Sequence, residues 1–312
     1  MRLVHAAFVL AALVNSASAK AERAPEIAFT FDDLPLHEPI PEGDTPQSVA
    51  NGIIAALTHA HIPAYGFVNA HWTVDEPATL EVLKAWRAAG LTLGNHGWSH
   101  QHLSPITLEQ FEVEVARGEP VLQQLSLGTD WRWFRYPFLD EGKDAGQRQA
   151  ARDVLARRGY KIADVTMDFG DWQWTAPYAR CRAVHDEASI AKLKQLYLSA
   201  ARDSIVYYRG LSHQLFGRDI PYVILLHESA FEARMLPQLI GLFNLAGFRF
   251  VSLPHAESDS YYASRVDPER PAQPSGLDAT AKARGVKLPH RSDFASQLAS
   301  ICQSGAPVAT VP

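Results

Sequence analysis

Short apolar segments alternate with longer amphipathic segments along most of this chain of 312 residues. Seven of the apolar segments are typical of buried strands, and the segments between them carry apolar residues at helical spacing. This alternation predicts parallel strands joined by right-handed crossovers, and seven successive units favour a closed or nearly closed barrel over an open sheet. The predicted fold class is therefore α/β, a distorted (β/α)7 barrel of the TIM-barrel type. The predicted strands are residues 27–33, 64–69, 91–94, 131–134, 161–165, 222–226 and 248–252.

The two ends of the chain differ in composition from the barrel. Residues 1–19 combine an early arginine, an apolar stretch and a small-residue cleavage motif, so we expect a signal peptide and export to the periplasm or the extracellular space. An uncleaved anchor is the alternative, but no later segment reaches membrane-spanning length. Residues 20–256 are predicted to form the barrel domain, with an extra helical insertion at about residues 180–220. Residues 257–312 are polar and rich in proline, which predicts an extension packed on the barrel or a flexible tail.

Charge and cysteine content narrow the classes of function. The formal net charge is −5 and lysine and arginine are not clustered, so nucleic acid is not an expected partner. The two cysteines, Cys181 and Cys302, lack the spacing of a zinc or redox motif. In an oxidising compartment we expect them to pair as a disulfide, with two free thiols as the alternative.

Polar side chains follow five of the seven predicted strands. The carboxyl ends of parallel strands lie at one face of a barrel, so these side chains are expected to share one site. His96 and His100 are four residues apart and can lie on one side of a helical turn; with one aspartate they make a ligand set suited to zinc. The residues at the five strand ends are Asp32 and Asp33, His96 to His100, Arg135, Asp168 to Asp171, and His227.

Each of these residues also has an ordinary structural explanation when it is taken alone. The alternatives are a turn at Asp32 and Asp33, an ion pair for Arg135, a helix cap for Asp171, and core packing for Trp172 and His227. Their joint occurrence at successive strand ends is what favours a catalytic site.

Five motifs resemble, in order and in position, those of the polysaccharide deacetylases, the family 4 carbohydrate esterases with a NodB-homology domain. The resemblance covers residues 26–255 approximately and implies the NodB-homology fold. It also implies a metal-dependent hydrolase of carbon–nitrogen bonds other than peptide bonds, acting on N-acetyl groups of a carbohydrate polymer or oligosaccharide, with hydrolysis of O-acetyl esters as the less favoured choice. The alternatives are an amide hydrolase with a non-carbohydrate substrate and a catalytically silent carbohydrate-binding domain. The motifs are Thr30-Phe31-Asp32-Asp33, His96-x-x-x-His100, Arg135-x-Pro137-Phe138, Asp168-x-x-Asp171-Trp172 and Leu225-x-His227.

The resemblance implies a metal site and an acid–base pair. Asp33, His96 and His100 would hold one divalent ion, most readily Zn²⁺, with Co²⁺ or Ni²⁺ as alternatives. Asp32 would be the general base and His227 the general acid. The chemistry is reasonable on physical grounds, because amide hydrolysis needs an activated nucleophile and a proton for the leaving nitrogen.

The other matching residues would support that reaction. Arg135 would orient the base, and Asp171 would hold the acid in its working tautomer. The backbone N–H of Phe138 would stabilise the oxyanion, while Trp172 and Leu225 would line the pocket for the acetyl methyl group.

Three positions depart from the family pattern. Gly97 stands where threonine or serine is usual, and Gln101 where proline often follows the second histidine. Leu139 replaces a glycine, which is expected to reshape the groove beside the oxyanion site. These departures bear on the choice of substrate rather than on the chemistry.

Overall fold

The computed structural model describes residues 23–126 and 128–303, so the predicted signal peptide at residues 1–19 lies outside the described residues. Seven parallel strands form one curled sheet surrounded by helices, which confirms the predicted α/β fold of distorted barrel type. The strands are β1 Glu26–Leu34, β2 Tyr65–Val68, β3 Thr92–Asn95, β4 Trp133–Phe134, β5 Lys161–Ile162, β6 Tyr222–His227 and β7 Arg249–Phe250.

The sheet curls until its two edges meet. The strand order is β5-β4-β3-β2-β1-β6, and β7 pairs with the first residues of β1. Beyond β5 the chain reaches β6, where Met167 forms an isolated parallel bridge with Ile224 and accepts a hydrogen bond from the N–H of Leu225 (3.0 Å). The barrel is therefore closed by a bridge rather than by a full strand pair, and this is the source of its distortion.

Strand β1 is the longest of the seven strands. It pairs with β2 on one side and β6 on the other, and most of its residues are fully buried. In this register Asp32 is the pairing partner of His227. The two strand ends that carry acidic and imidazole groups are thus adjacent in space although they are far apart in sequence.

Helices cover the outside of the sheet, and several begin at side-chain caps that the sequence displays. Thr45 and Thr107 form capping boxes with the third residues of their helices. A separate helix at residues 175–183 precedes the long one. The helices are α1 Pro46–His59, α2 Trp72–Asp75, α3 Leu80–Ala88, α4 Leu108–Leu125, α5 Ala145–Arg157, α6 Thr175–Ala183, α7 Glu187–Phe216, α8 Ala230–Leu245, α9 Leu253–Ala256, α10 Ala263–Val266, α11 Gly276–Ala283 and α12 Ala295–Ser300, with 3-10 turns at Pro77–Thr79, Pro137–Leu139 and Asp171–Trp174.

The C-terminal segment is attached to the barrel by specific contacts. Cys181 in α6 and Cys302 form the disulfide that the sequence predicts, with the two sulfur atoms 2.11 Å apart. The guanidinium of Arg180 donates to the carbonyls of Leu298 (3.1 Å) and Ile301 (3.0 Å). None of the helices in the described ranges has both the length and the apolar character needed to cross a bilayer.

Candidate active site

An aspartate and two histidines converge where β1 and β3 end. The Oδ1 atom of Asp33 lies 3.1 Å from Nε2 of His100 and 3.5 Å from Nε2 of His96. His96 is oriented by a second contact, between its Nδ1 atom and the carbonyl of Arg135 (2.8 Å). Since that carbonyl can only accept, Nδ1 carries the proton and Nε2 of His96 is available as a ligand.

This donor set fits a divalent cation. One ligand atom from each of the three side chains lies within 4.8 Å of the others. Two atoms bound tetrahedrally to zinc at about 2.0–2.1 Å stand about 3.3 Å apart, close to the distances that Asp33 makes with the two imidazoles. In addition, Oδ1 of Asp33 is buried and has no hydrogen-bond partner among the described residues. Burying a polar atom without a partner costs free energy, and a cation bound there would remove that cost.

The sequence pattern suggested a helical turn at His96 and His100, but the two histidines do not lie on one. Strand β3 ends at Asn95, and His100 follows in a loop, with a positive φ of 56°. The carboxylate of Glu114, on α4, accepts hydrogen bonds from the N–H (2.7 Å) and the hydroxyl (2.8 Å) of Ser99. The helical prediction was wrong because this tertiary contact satisfies the loop backbone that a helix would have satisfied internally.

Asp32 is held by a buried guanidinium. Arg135 is fully buried, and its Nη1 atom lies 3.2 Å from Oδ1 of Asp32. The remaining guanidinium groups donate to the carbonyl of Ala163 (2.8 Å) and the hydroxyl of Thr30 (3.2 Å). A buried ion pair is tolerated when its other polar atoms are satisfied in this way. Arg135 is therefore in the position that orienting Asp32 requires.

His227 and Asp171 form a second buried pair. Asp171 accepts hydrogen bonds from Nδ1 (2.8 Å) and from the backbone N–H (2.8 Å) of His227, so the carboxylate fixes both ring and backbone. Burial lowers the pKa of His227, but the charge and hydrogen bond of Asp171, with the charges of Asp33 and Asp32, raise it overall to about 10. The ring is thus a proton donor at neutral pH, with Nε2 as the nitrogen not engaged by Asp171.

Burial and the surrounding groups shift the pKa values of His100 and Asp33 in directions that favour metal binding. Burial lowers the pKa of His100 to about 4 despite the nearby Asp33 carboxylate, so the imidazole is neutral and can act as a ligand. Burial alone would raise the pKa of Asp33, but the hydrogen bond of His37 and the charges of the neighbouring histidines bring it well below its ordinary value. Asp33 is therefore an anion at any pH where the protein would work.

The residues predicted to contact substrate occupy different environments. Phe138 and Trp172 are about half exposed, at 55% and 50%, whereas Leu225 is buried. Phe138 has a φ of 57° and Leu139 one of 54°, so two consecutive residues adopt the left-handed backbone that glycine adopts without strain. Leucine thus stands at position 139, where the resemblance leads us to expect glycine and where the backbone conformation favours it. The leucine side chain is partly exposed beside the site.

Asp168 has a local role. Its side chain accepts a hydrogen bond from the N–H of Gly170 (2.7 Å), and its carbonyl accepts one from the hydroxyl of Tyr208 (3.1 Å). These contacts shape the turn that carries Asp171 into the site, which gives Asp168 a supporting function.

One site residue was not predicted from the sequence. Nδ1 of His37 lies 2.6 Å from Oδ2 of Asp33, and its ring centre lies 4.8 Å from that of His227. The available signal was a histidine four residues after Asp33, separated from it by Leu34-Pro35-Leu36. This segment forms neither a helix nor a strand in which a four-residue spacing would predict proximity, so only the folded loop shows the contact.

Residues 19–163 match a family model described as polysaccharide deacetylase. Two structures of BA3943, a CE4 family pseudoenzyme, each share 14% identity and cover 72% of this chain. The mutant has a TM-score of 0.52 with 64% of its chain covered; the wild-type protein, from Bacillus anthracis, has 0.51 with 63% covered. The chain thus spans somewhat less than two thirds of the length of these proteins. A T48 deacetylase with substrate shares 20% identity, covering 75% of this chain and 92% of its own, with a TM-score of 0.49. At these identities the first two structures support the fold alone.

Proposed function

We propose that this chain, whose motifs resemble those of the polysaccharide deacetylases and whose residues 19–163 match their family model, is an exported, metal-dependent deacetylase. Its substrate would be an acetylated carbohydrate polymer or oligosaccharide, with N-acetyl groups as the first choice and O-acetyl groups as the second. The observation that carries the proposal is the convergence of a cation-ready Asp33, His96 and His100 with the Asp32–Arg135 and His227–Asp171 pairs at one end of the sheet.

The metal would be held by Asp33, His96 and His100. When bound, a divalent cation such as Zn²⁺ supplies Lewis-acid chemistry, because it acidifies water and polarises an acyl carbonyl. The donor set of two imidazoles and one carboxylate leaves positions open for water and substrate. Co²⁺ and Ni²⁺ would suit the same donors.

The proton transfers would be divided between two side chains. Asp32 takes a proton from the attacking water as its oxygen bonds to the acyl carbon, with Arg135 holding the carboxylate in place. His227 gives a proton to the nitrogen as the carbon–nitrogen bond breaks, because an amide nitrogen is a poor leaving group until it is protonated. The products are acetate and a free amine. Asp171 keeps Nδ1 of His227 as a donor, so the proton that is transferred comes from Nε2.

The acyl group would be bound by the remaining predicted residues. The backbone N–H of Phe138 would donate to the developing oxyanion. The apolar surfaces of Trp172 and Leu225 would enclose the acetyl methyl group. The partial exposure of Trp172 agrees with a pocket that opens toward solvent, as a polymer substrate needs.

The test is acetate release from defined acetylated oligosaccharides and small acetamides, before and after removal of bound metal and its replacement with Zn²⁺. We expect release from the oligosaccharides only with metal, and a loss of about 10²–10⁴-fold for Asp32→Asn, since an amide cannot take the proton. Asp153→Asn, the same change at an exposed position on α5, is the matched control and should keep full activity.

Three results would contradict the proposal. Full acetate release by Asp32→Asn would remove the general-base assignment. Release from small amides alone would favour a non-carbohydrate amide hydrolase. Oligosaccharide binding without turnover under any metal would favour a silent binding domain.

A further inference from the structure

His37 extends the site beyond the residues that the motifs identify. It lies in the loop after β1, and its backbone N–H donates to the carbonyl of Glu228 (2.7 Å), the residue after His227. Its Nδ1 atom contacts Oδ2 of Asp33 at 2.6 Å, and its side chain is 22% exposed. The loop is therefore fixed to the end of β6 by its backbone and to Asp33 by its side chain.

Two groups of side chains at this site could each hold a cation by proximity. One is Asp33, His96 and His100, and the other is Asp33, His37 and His227. Ligand spacing separates them. Two atoms on one tetrahedral zinc stand about 3.3 Å apart, whereas 2.6 Å is the length of a charge-assisted hydrogen bond. The contact of His37 with Asp33 is thus a hydrogen bond rather than part of a second metal site.

The proton in that hydrogen bond must come from the imidazole. A carboxylate that holds a metal ion must be deprotonated, and a deprotonated carboxylate can only accept. Nδ1 of His37 is therefore the donor. The two oxygens of Asp33 are then divided: Oδ2 is occupied by His37, and Oδ1 faces the imidazoles of His96 and His100 without a hydrogen-bond partner among the described residues.

We propose that His37 is a positioning residue that fixes Asp33 as a ligand through Oδ1 alone. Without the hydrogen bond, the Asp33 carboxylate could rotate or present both oxygens to the metal. A hydrogen bond to the second oxygen prevents this and orients the ligand, and removing such a partner of a metal ligand typically weakens metal binding by about 10–100-fold. The inference rests on the proposed function, because it requires the metal site.

The experiment is a measurement of Zn²⁺ affinity and stoichiometry by competition with a chromophoric chelator, using metal-stripped protein. His37→Phe keeps a ring of similar size without a donor, and His37→Asn places an amide N–H near the former Nδ1. His59→Ala, at an exposed position at the end of α1, is the control. Circular dichroism establishes that each variant is folded.

We expect one Zn²⁺ per chain in the wild type and in His59→Ala. The dissociation constant for Zn²⁺ should be about 10–100-fold larger in His37→Phe and should change at most about threefold in His37→Asn. A His37→Phe variant that binds Zn²⁺ as tightly as the wild type would overturn the inference while leaving the proposed function intact. So would two ions in the wild type and one in His37→Phe, because His37 would then be a ligand. A wild type that binds no ion would overturn the proposed function itself, together with this inference.

Discussion

Asp32 and Asp33 lie close to a third acidic residue, Glu228, at the same end of the sheet, and the partners of these side chains differ. Asp32 and Asp33, in the candidate active site, face a guanidinium and three imidazoles. Glu228, one residue beyond His227, is fully buried and has the indole N–H of Trp86 (3.3 Å) as its side-chain partner. The two aspartates therefore have a guanidinium and imidazoles as partners, whereas the side-chain partner of Glu228 is a neutral indole N–H.

The difference in partners decides the charge. Burial raises the pKa of Glu228 to about 8, and burial likewise raises the pKa values of Glu232 and Glu257 well above the ordinary value. In contrast, the pKa of Asp33 falls well below its ordinary value although burial opposes this. Burial alone therefore does not determine whether an acidic group is ionised; at Asp33 the hydrogen bond of His37 and the charges of the nearby imidazoles outweigh it.

The largest expected effect concerns the Asp171–His227 pair. Asp171→Asn should lower kcat by about 10²–10⁴-fold with little change in KM or metal content, because Nδ1 of His227 loses its ionised acceptor and the ring its fixed tautomer. Steady-state kinetics and metal analysis provide the measurement. Asp168→Asn is the matched control, since the amide oxygen can still accept from Gly170. A kcat near that of the wild type for Asp171→Asn would show that the pair is structural.

The next effect concerns stability. Arg135→Met should lower the free energy of unfolding by about 3–5 kcal/mol, because it leaves Asp32 buried without its cation. Denaturant unfolding of the metal-free protein measures this. The double variant Arg135→Met with Asp32→Asn should recover part of the loss. If the double variant is as unstable as the single one, the hydrogen bonds of Arg135 to Thr30 and Ala163 matter more than its charge.

The smallest effect concerns the pH dependence of stability that Glu228 contributes. The pKa of Glu228 is about 8 in the folded protein against 4.5 ordinarily, so between these values the folded state holds a proton that the unfolded state has released. Stability from this group should therefore fall as pH rises through that window, by at most about 1.4 kcal/mol per pH unit. Glu228→Gln should flatten the decline, as measured by unfolding at pH 5, 6, 7 and 8.

Asp144→Asn, at the exposed cap of α5, is the control for this pH series. An unchanged slope in Glu228→Gln would mean that Glu228 is already ionised in the folded protein. That result would remove the contrast with Asp33.

Much of the site followed from the sequence because parallel strands bring their carboxyl ends together. Asp32 and Asp33, His96, Arg135 and His227 each end or closely follow an apolar segment, so their convergence needed no knowledge of loop structure. The local conformation between His96 and His100 could not be predicted in the same way, because Glu114 on a distant helix determines it.

The sequence alone determined the alternation of strands and helices, the strand ends that carry chemistry and the pair of cysteines, since these depend on periodicity and residue type. Only the tertiary structure decided that Met167 closes the sheet, that Leu139 takes a left-handed backbone and that His37 binds Asp33. The physical reason is the sequence distance over which each effect acts: secondary-structure propensity and hydrophobic pattern depend on neighbouring residues. The conformation of a loop and the charge of a buried group depend on partners that the fold brings from elsewhere in the chain.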